Sequence, residues 1–240
     1  MDKNYVLITG GAKGIGAAIA RRACADGYSP IILDLVEPDR GIAAEFARID
    51  LRDAPATSEI LDALTKRFVI TRLVNNAGIV HPARLEQTTP EAFEEVMMLN
   101  ARAAMLCVKS LAPGMRRKKF GRIVSITSRA LLGKEMRTAY AASKGAVASM
   151  SRTWALELAS DSITVNTVAP GPVGTEAFHR NNPPGDPRTD ALKKSIPLKR
   201  LGSTDDVAHA VGFFLDERSG FITGQTLYVC GGLTVGISQS

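Results

Sequence analysis

The sequence predicts a doubly wound α/β domain with a parallel sheet, carried by one unit spanning residues 1–240. Three observations predict it. Short apolar runs alternate with helical patterns along the whole chain, with no internal repeat and no linker between them. The first two runs enclose a glycine-rich turn and a helix, which makes a strand–helix–strand unit. Further on, a strand ending near a serine is followed by a helix that places a tyrosine and a lysine four positions apart.

Taken in order, Tyr5-Val-Leu-Ile-Thr9 reads as a short buried strand. The turn Gly10-Gly-Ala-Lys-Gly-Ile-Gly16 follows, then a helix from Ile15 to Asp26 stopped by Gly27. Pro30-Ile-Ile-Leu-Asp34 is the second strand. Glycines let a backbone approach a pyrophosphate, and the helix N-terminus favours its charge. The acidic Asp34 at the end of the second strand is where a carboxylate meets adenosine ribose hydroxyls. In that context the turn is a dinucleotide site, and Asp34 favours NAD over NADP. Lys13 pulls the other way, since a basic residue in the turn can meet a 2′-phosphate.

A third strand is expected over Ala44–Asp50, after only a loop or one helical turn. A helix over about 56–68 and the strand Arg72–Asn75 come next. A single long helix is expected over about 90–117, with Thr89 as its N-cap before Pro90. Gly121–Ile126 is a strand leading to Ser128, and a helix carrying Tyr140 runs to about Ser160. Ser162–Val168 is a strand, Ala169–Gly174 an irregular loop, and 204–216 a helix before the final strand Gln225–Val229. Residues 175–198 are polar and interrupted by Pro183, Pro184, Gly185 and Pro187, which reads as a mobile lid.

Composition narrows the function classes. Apolar content is 45% and charged content 22%, ordinary for a soluble globular protein. Lys plus Arg is 30 against 24 Asp plus Glu, a mild excess. The one basic run, Arg116–Lys119, has no aromatic interleaving, so it reads as a helix end rather than a nucleic-acid surface. No apolar run reaches membrane-spanning length. The three cysteines form no CxxC pair, so neither a disulfide framework nor a metal site is expected. The expectation is a cytoplasmic protein without a leader.

Tyr140 and Lys144 stack on one helix face. A phenol with an ordinary pKa near 10 is a poor base at neutral pH, and a nearby ammonium stabilises the phenolate. Such a pair alone is often surface packing. Ser128 upstream gives it weight, because a serine at the carboxyl end of a parallel strand points into the crevice where open sheets bind ligands.

These residues resemble a known family. Thr9-Gly-Gly-Ala-Lys-Gly-Ile-Gly16, Asn75-Asn-Ala-Gly78, Asn100, Ser128 and Tyr140-xxx-Lys144, with Pro170-Gly171 and Gly231-Gly232, look like the short-chain dehydrogenase/reductases of the compact type. The resemblance spans essentially the whole chain and implies a Rossmann-like fold. It implies Tyr140 as acid/base, Ser128 as donor to the substrate oxygen, and Lys144 on the nicotinamide ribose. Asn100 would kink its helix and anchor a relay water. Gly10, Gly14 and Gly16 would shape the nucleotide turn, with Lys13 and Ile15 beside them. Asp50 and Leu51 would contact the adenine, and Asn76, Ala77 and Gly78 would pack along the cofactor. Pro170, Gly171, Val173 and Thr175 would lie at the nicotinamide. The Ser128-to-Tyr140 interval is one residue shorter than usual, which places a deletion in the pocket loop 129–139 and keeps Thr127 as an alternative to Ser128.

The implied activity is interconversion of a secondary alcohol and a ketone with NAD, on a small-molecule substrate, in a homodimer or homotetramer. His81, Arg129, Phe178 and His179 are the candidate substrate contacts, and Lys134 and Arg137 share the pocket loop with Arg129. A 3-oxoacyl thioester reductase is the rival within the class; Asp161 would repel an acidic carrier protein. A non-catalytic nucleotide-binding regulator is the rival outside it, and would need the Tyr–Lys pair broken.

Overall fold

A computed structural model provides the structure of the protein, and it describes residues 4–236. The strands are β1 (Tyr5–Thr9), β2 (Ser29–Asp34), β3 (Glu45–Arg48), β4 (Ile70–Asn75), β5 (Gly121–Ile126), β6 (Ile163–Pro170) and β7 (Thr226–Val229). The helices are α1 (Gly14–Ala25), α2 (Ala54–Arg67), α3 (Pro90–Met97), α4 (Ala103–Lys118), α5 (Thr138–Leu158), α6 (Glu176–Asn181), α7 (Pro187–Ser195) and α8 (Thr204–Leu215). The strands form one sheet in the order β3-β2-β1-β4-β5-β6-β7. Every pairing is parallel. The chain starts at β1, winds to one edge, then returns to β4 and winds to the other. This reversal leaves a crevice at the carboxyl ends of β1 and β4.

The period-two alternation of the buried strands divides the core between two layers. Val6 and Ile8 of β1 pack with Ile19 of α1 and Val207, Val211 and Phe214 of α8. Leu7 points the other way, to Leu61 of α2, Leu111 and Met115 of α4, and the half-buried Trp154 of α5. The sheet is thus covered on both faces, as an all-parallel sheet requires.

Three expectations are corrected. The single helix over 90–117 is three pieces: α3, a π turn at Met98–Arg102, and α4. The π turn adds a residue to the helical repeat while the apolar pattern runs on through it. Residues 175–198, read from the sequence as a long mobile lid without helices of its own, carry two short helices. Thr175 accepts a hydrogen bond from the Phe178 amide at 3.1 Å and starts α6. Asp186 accepts one from Arg188 at 2.7 Å and, with Pro187 in the first turn, starts α7. Finally, β6 continues through Ala169 and Pro170, which the sequence reading put in a loop.

Candidate active site

The crevice holds a cleft of about 580 Å³, walled by the glycine turn, the ends of β2 and β4, and α5. Gly10 adopts φ +63°, and a Cβ there would lie 2.9 Å from the Ala77 Cα. At Gly16 a Cβ would stand 1.9 Å from the Gly10 carbonyl oxygen, so the first turn of α1 closes on the loop only with glycine. No side chain caps the N-terminus of α1 and no acidic residue sits in its first turn. Its amides and positive dipole end are therefore available to an anion in the cleft. These features fit the pyrophosphate of a dinucleotide.

Around the turn, Asn76 donates from Nδ2 to the carbonyls of Thr9 and Gly10, at 3.1 and 2.8 Å. The Thr9 hydroxyl accepts from the amides of Asn76 and Ala77. Asp34 accepts from the Ala12 amide at 2.9 Å on one oxygen and from the Leu35 amide at 2.7 Å on the other. The carboxylate is thereby fixed at the mouth of the cleft, whereas Lys13 is exposed. Gly14, Ile15, Asp50, Leu51, Gly78 and Thr175 also line the cleft.

Asp50 is held by Arg52, whose guanidinium approaches the carboxylate at 2.7 Å and also pairs with Glu95. These contacts hold the Asp50 carboxyl below its usual range, the Arg52 hydrogen bond being the largest cause. His81 closes the chain by meeting Glu95 at 2.8 Å. His81 thus belongs to this network at the cleft edge, while its neighbours Val80 and Pro82 line the second pocket described below. Sequence reasoning missed Arg52, although its place two residues after Asp50 was the available signal.

Tyr140 and Lys144 reach the cleft from α5, with the Lys144 Nζ 5.7 Å from the Tyr140 ring centroid. Lys144 is buried and donates to the Ile126 carbonyl at 2.8 Å. Burial lowers its pKa to about 8. Burial also lifts the Tyr140 phenol above its ordinary value, opposed by the Ser128 hydroxyl and the Arg137 charge. This differs from the expectation of a phenol lowered by Lys144, because desolvation outweighs the opposing contributions.

Asn100 lies in the π turn and is buried. Its Oδ1 accepts from the Ile79 amide at 2.8 Å, and its Nδ2 donates to the Ile79 carbonyl and to Ser143 Oγ, both at 3.0 Å. Ser143 in turn donates to the Tyr140 carbonyl at 2.8 Å. Thr127 spends its hydroxyl on the Val168 carbonyl at 3.1 Å, inside the sheet. Ser128 turns toward the pocket and accepts from the Ala130 amide at 3.1 Å.

A second pocket of about 310 Å³ opens beside Ser128 and Tyr140. Pro170, Gly171, Val173 and Thr175 form one side of it, and Phe178 reaches it from α6. Arg129, Lys134 and Arg137 also line it. His179 is not among the residues lining this pocket. Its ring stacks edge-on against Phe178, with centroids 5.5 Å apart, and its Nε2 points toward Gly174.

The family model described as enoyl-(acyl carrier protein) reductase matches residues 10–234. The chain belongs to the short-chain dehydrogenase/reductase family. It is 35% identical over 245 residues to BbsD of Thauera aromatica, a subunit of a hydroxy(phenyl)methylsuccinyl-CoA dehydrogenase, with 97% of each chain covered. It is 34% identical over 242 residues to the 3-oxoacyl-acyl-carrier-protein reductase FabG of Aggregatibacter actinomycetemcomitans, covering 95% of this chain and 98% of that one. A solved structure from Beutenbergia cavernae, a candidate NAD(P)-dependent gluconate 5-dehydrogenase with NADP bound at low occupancy, superposes with a TM-score of 0.92. It is 31% identical, and 98% of each chain is covered. The protein is thus an oxidoreductase of an NAD(P)-dependent fold. Among the described residues, no helix is long and apolar enough to cross a membrane.

The buried Lys144 sets a pH test. Its folded pKa, about 8, lies below the 10.5 of a free lysine, so the unfolded chain binds its proton more tightly. The cost of burying the ammonium is full below pH 8 and fades between pH 8 and 10.5. Denaturant unfolding of wild type and Lys144→Met should show wild type gaining on the variant across that window, by up to about 3 kcal/mol. A stability difference that does not change with pH would contradict a desolvated ammonium.

Proposed function

We propose that the protein interconverts a secondary alcohol and a ketone, using NAD, with Tyr140, Ser128 and Lys144 as the working residues. The convergence of Ser128 and Tyr140 on one small pocket that opens beside the cofactor cleft carries this reading. The glycine turn and the α1 N-terminus would hold the pyrophosphate, Asp34 the adenosine ribose, and Lys144 the ribose next to the nicotinamide. The nicotinamide, when bound, supplies hydride acceptance and donation. Tyr140 removes the hydroxyl proton of the alcohol, or returns it to the ketone. Ser128 donates a hydrogen bond to the same oxygen and fixes its position. Lys144 carries positive charge against the phenolate, and the Asn100–Ser143 contacts hold α5 in register with the end of β4.

A thioester substrate is the second reading, favoured by the similarity to FabG. The Asp161 objection loses force, since Asp161 pairs with Arg116 at 3.1 Å and Lys119 at 2.5 Å, and the cluster is net basic. The small pocket beside Tyr140 still favours a free alcohol.

Three measurements test the proposal. Tyr140→Phe keeps the ring and removes the acid, so kcat should fall by about 10²–10⁴-fold with the dinucleotide Kd nearly unchanged. Wild-type turnover in this variant would remove Tyr140 from the mechanism.

Cofactor choice follows from Asp34. A 2′-phosphate placed about 4 Å from it would cost about 4 kcal/mol per unit charge at an effective dielectric of 20. NAD should exceed NADP in kcat/KM by at least about tenfold, which needs only about 1.4 kcal/mol. Asp34→Ser should narrow that margin. A wild-type preference for NADP would mean that exposed Lys13 decides instead.

Residues 175–198 contribute Thr175 and Ala177 to both cavities and Phe178 to the substrate pocket. We read the segment as a lid that closes over substrate. Limited proteolysis there should slow when cofactor and substrate are added, and equal cleavage with and without them would exclude a lid.

A further inference from the structure

Both polar groups of the pocket have a cation close by in sequence. Arg129 directly follows Ser128, and Arg137 precedes Tyr140 by three positions, at the N-cap of α5. Lys134 joins them from the same loop, and all three line the pocket. No aspartate or glutamate does so among the described residues. The nearest acid in sequence, Glu135, lies exposed between Lys134 and Arg137 and forms no ion pair with either.

Several arginines elsewhere meet carboxylates: Arg22 with Asp26, Arg52 with Asp50, Arg116 with Asp161, Arg200 with Asp206 and Arg218 with Asp216. Among the described residues, Arg129, Lys134 and Arg137 have no such partner. Arg137 reaches only the Met136 carbonyl, at 2.8 Å. The repulsion registers on Lys134. Lys134 is held below its ordinary pKa by desolvation first, then by the charges of Arg137 and Arg129. Arg137 and Arg129 are half-buried, so water screens them less than it would exposed side chains. Three cations gathered around a pocket without an anion leave the anion to come from the ligand.

We propose that the alcohol substrate is itself an anion, with a carboxylate or phosphate seated between Arg129 and Arg137, a few bonds from the carbon that is oxidised. Lys134 completes the positive wall. The placement of the arginines beside Ser128 and Tyr140 sets the short separation. The 310 Å³ of the pocket suits a small hydroxy acid or a phosphorylated polyol. In the oxidative direction the carbinol loses its C–H and O–H bonds and becomes a ketone. Two electrons and one proton leave to the dinucleotide, the other proton to Tyr140, and the anionic group is unchanged.

This inference rests on the alcohol–ketone reading above, and the test separates the two. Purified protein is assayed with NAD and NADP against short hydroxy acids paired with their methyl esters, and phosphate monoesters of diols paired with the free diols. 3-Hydroxybutyryl-CoA and neutral secondary alcohols are further arms. One anion should exceed its neutral partner in kcat/KM by at least about tenfold, and the arm that does so tells carboxylate from phosphate. In Arg129→Gln and Arg137→Gln that anion-over-neutral ratio should fall at least about fivefold, mainly through KM for the anion. Because the ratio is internal to each variant, partial loss of folded protein cancels.

Neutral substrates equal to or better than their anionic partners would overturn the proposal and leave the oxidoreductase reading intact. So would a clear preference for the CoA thioester, or a ratio unchanged in both variants. Absence of hydride transfer in every arm would sink the alcohol–ketone reading, and this inference with it.

Discussion

The amide of Asn100 ties together the parts on which the site depends. It binds both backbone groups of Ile79, just beyond the strand end that carries Asn76 to Gly78, and it donates to Ser143 on α5. One side chain thus spans β4, the α3–α4 junction and the helix that presents Tyr140. The amide reaches these partners from a π turn, which widens the helix locally. The opposing surface has to be bare. A Cβ on Gly78 would lie 3.1 Å from Asn100 Oδ1 and 3.3 Å from Lys144 Nζ. Glycine there allows the amide and the ammonium to share one wall of the cleft.

That closeness has an electrostatic consequence. Burial costs Lys144 its charge preference and costs Tyr140 its ionisation, so each group's charged form is disfavoured on its own. A site of this kind stores unfavourable solvation in its resting state, and it is stabilised by whatever brings opposite charge or hydrogen bonds to it. The Ile126 carbonyl offsets part of the cost at Lys144, and the Ser128 hydroxyl and Arg137 part of it at Tyr140. The fold holds Tyr140 and Lys144 in place because both sit on α5, a helix fixed by hydrophobic packing rather than a loop.

Much of this was legible in the sequence, and the exceptions have physical reasons. The strands are short apolar runs that end in turn residues, so their order and class could be read directly. The Tyr140–Lys144 spacing is a property of the helix and needs no tertiary information. The π turn left no mark in the apolar period, which is intact before and after it; only the kink that the family resemblance implies at Asn100 pointed to it. The helices α6 and α7 escaped because they are 6 and 9 residues long and rest on their caps rather than on an apolar stripe. The surroundings of His81 and His179 could not be read from the sequence, because a lone imidazole takes its role from its partner. For His81 that partner is Glu95, 14 residues away and on another element.

The same division separates the chemistry from the specificity. The groups common to the family come from strand ends and from α5, where burial fixes each side chain. Thr9, Asn100 and Lys144 are nearly inaccessible, and Ser128 and Tyr140 are half-buried. The groups that would select a substrate come from the 129–137 loop and from α6, and their side chains project from short, capped segments. Arg129 and Arg137 flank the reacting residues without belonging to the hydrogen-bond set that positions them. They can therefore change without disturbing that set. A motif built from packed elements announces a reaction class, and the loop beside it carries a positive charge that no aspartate or glutamate of the pocket lining balances.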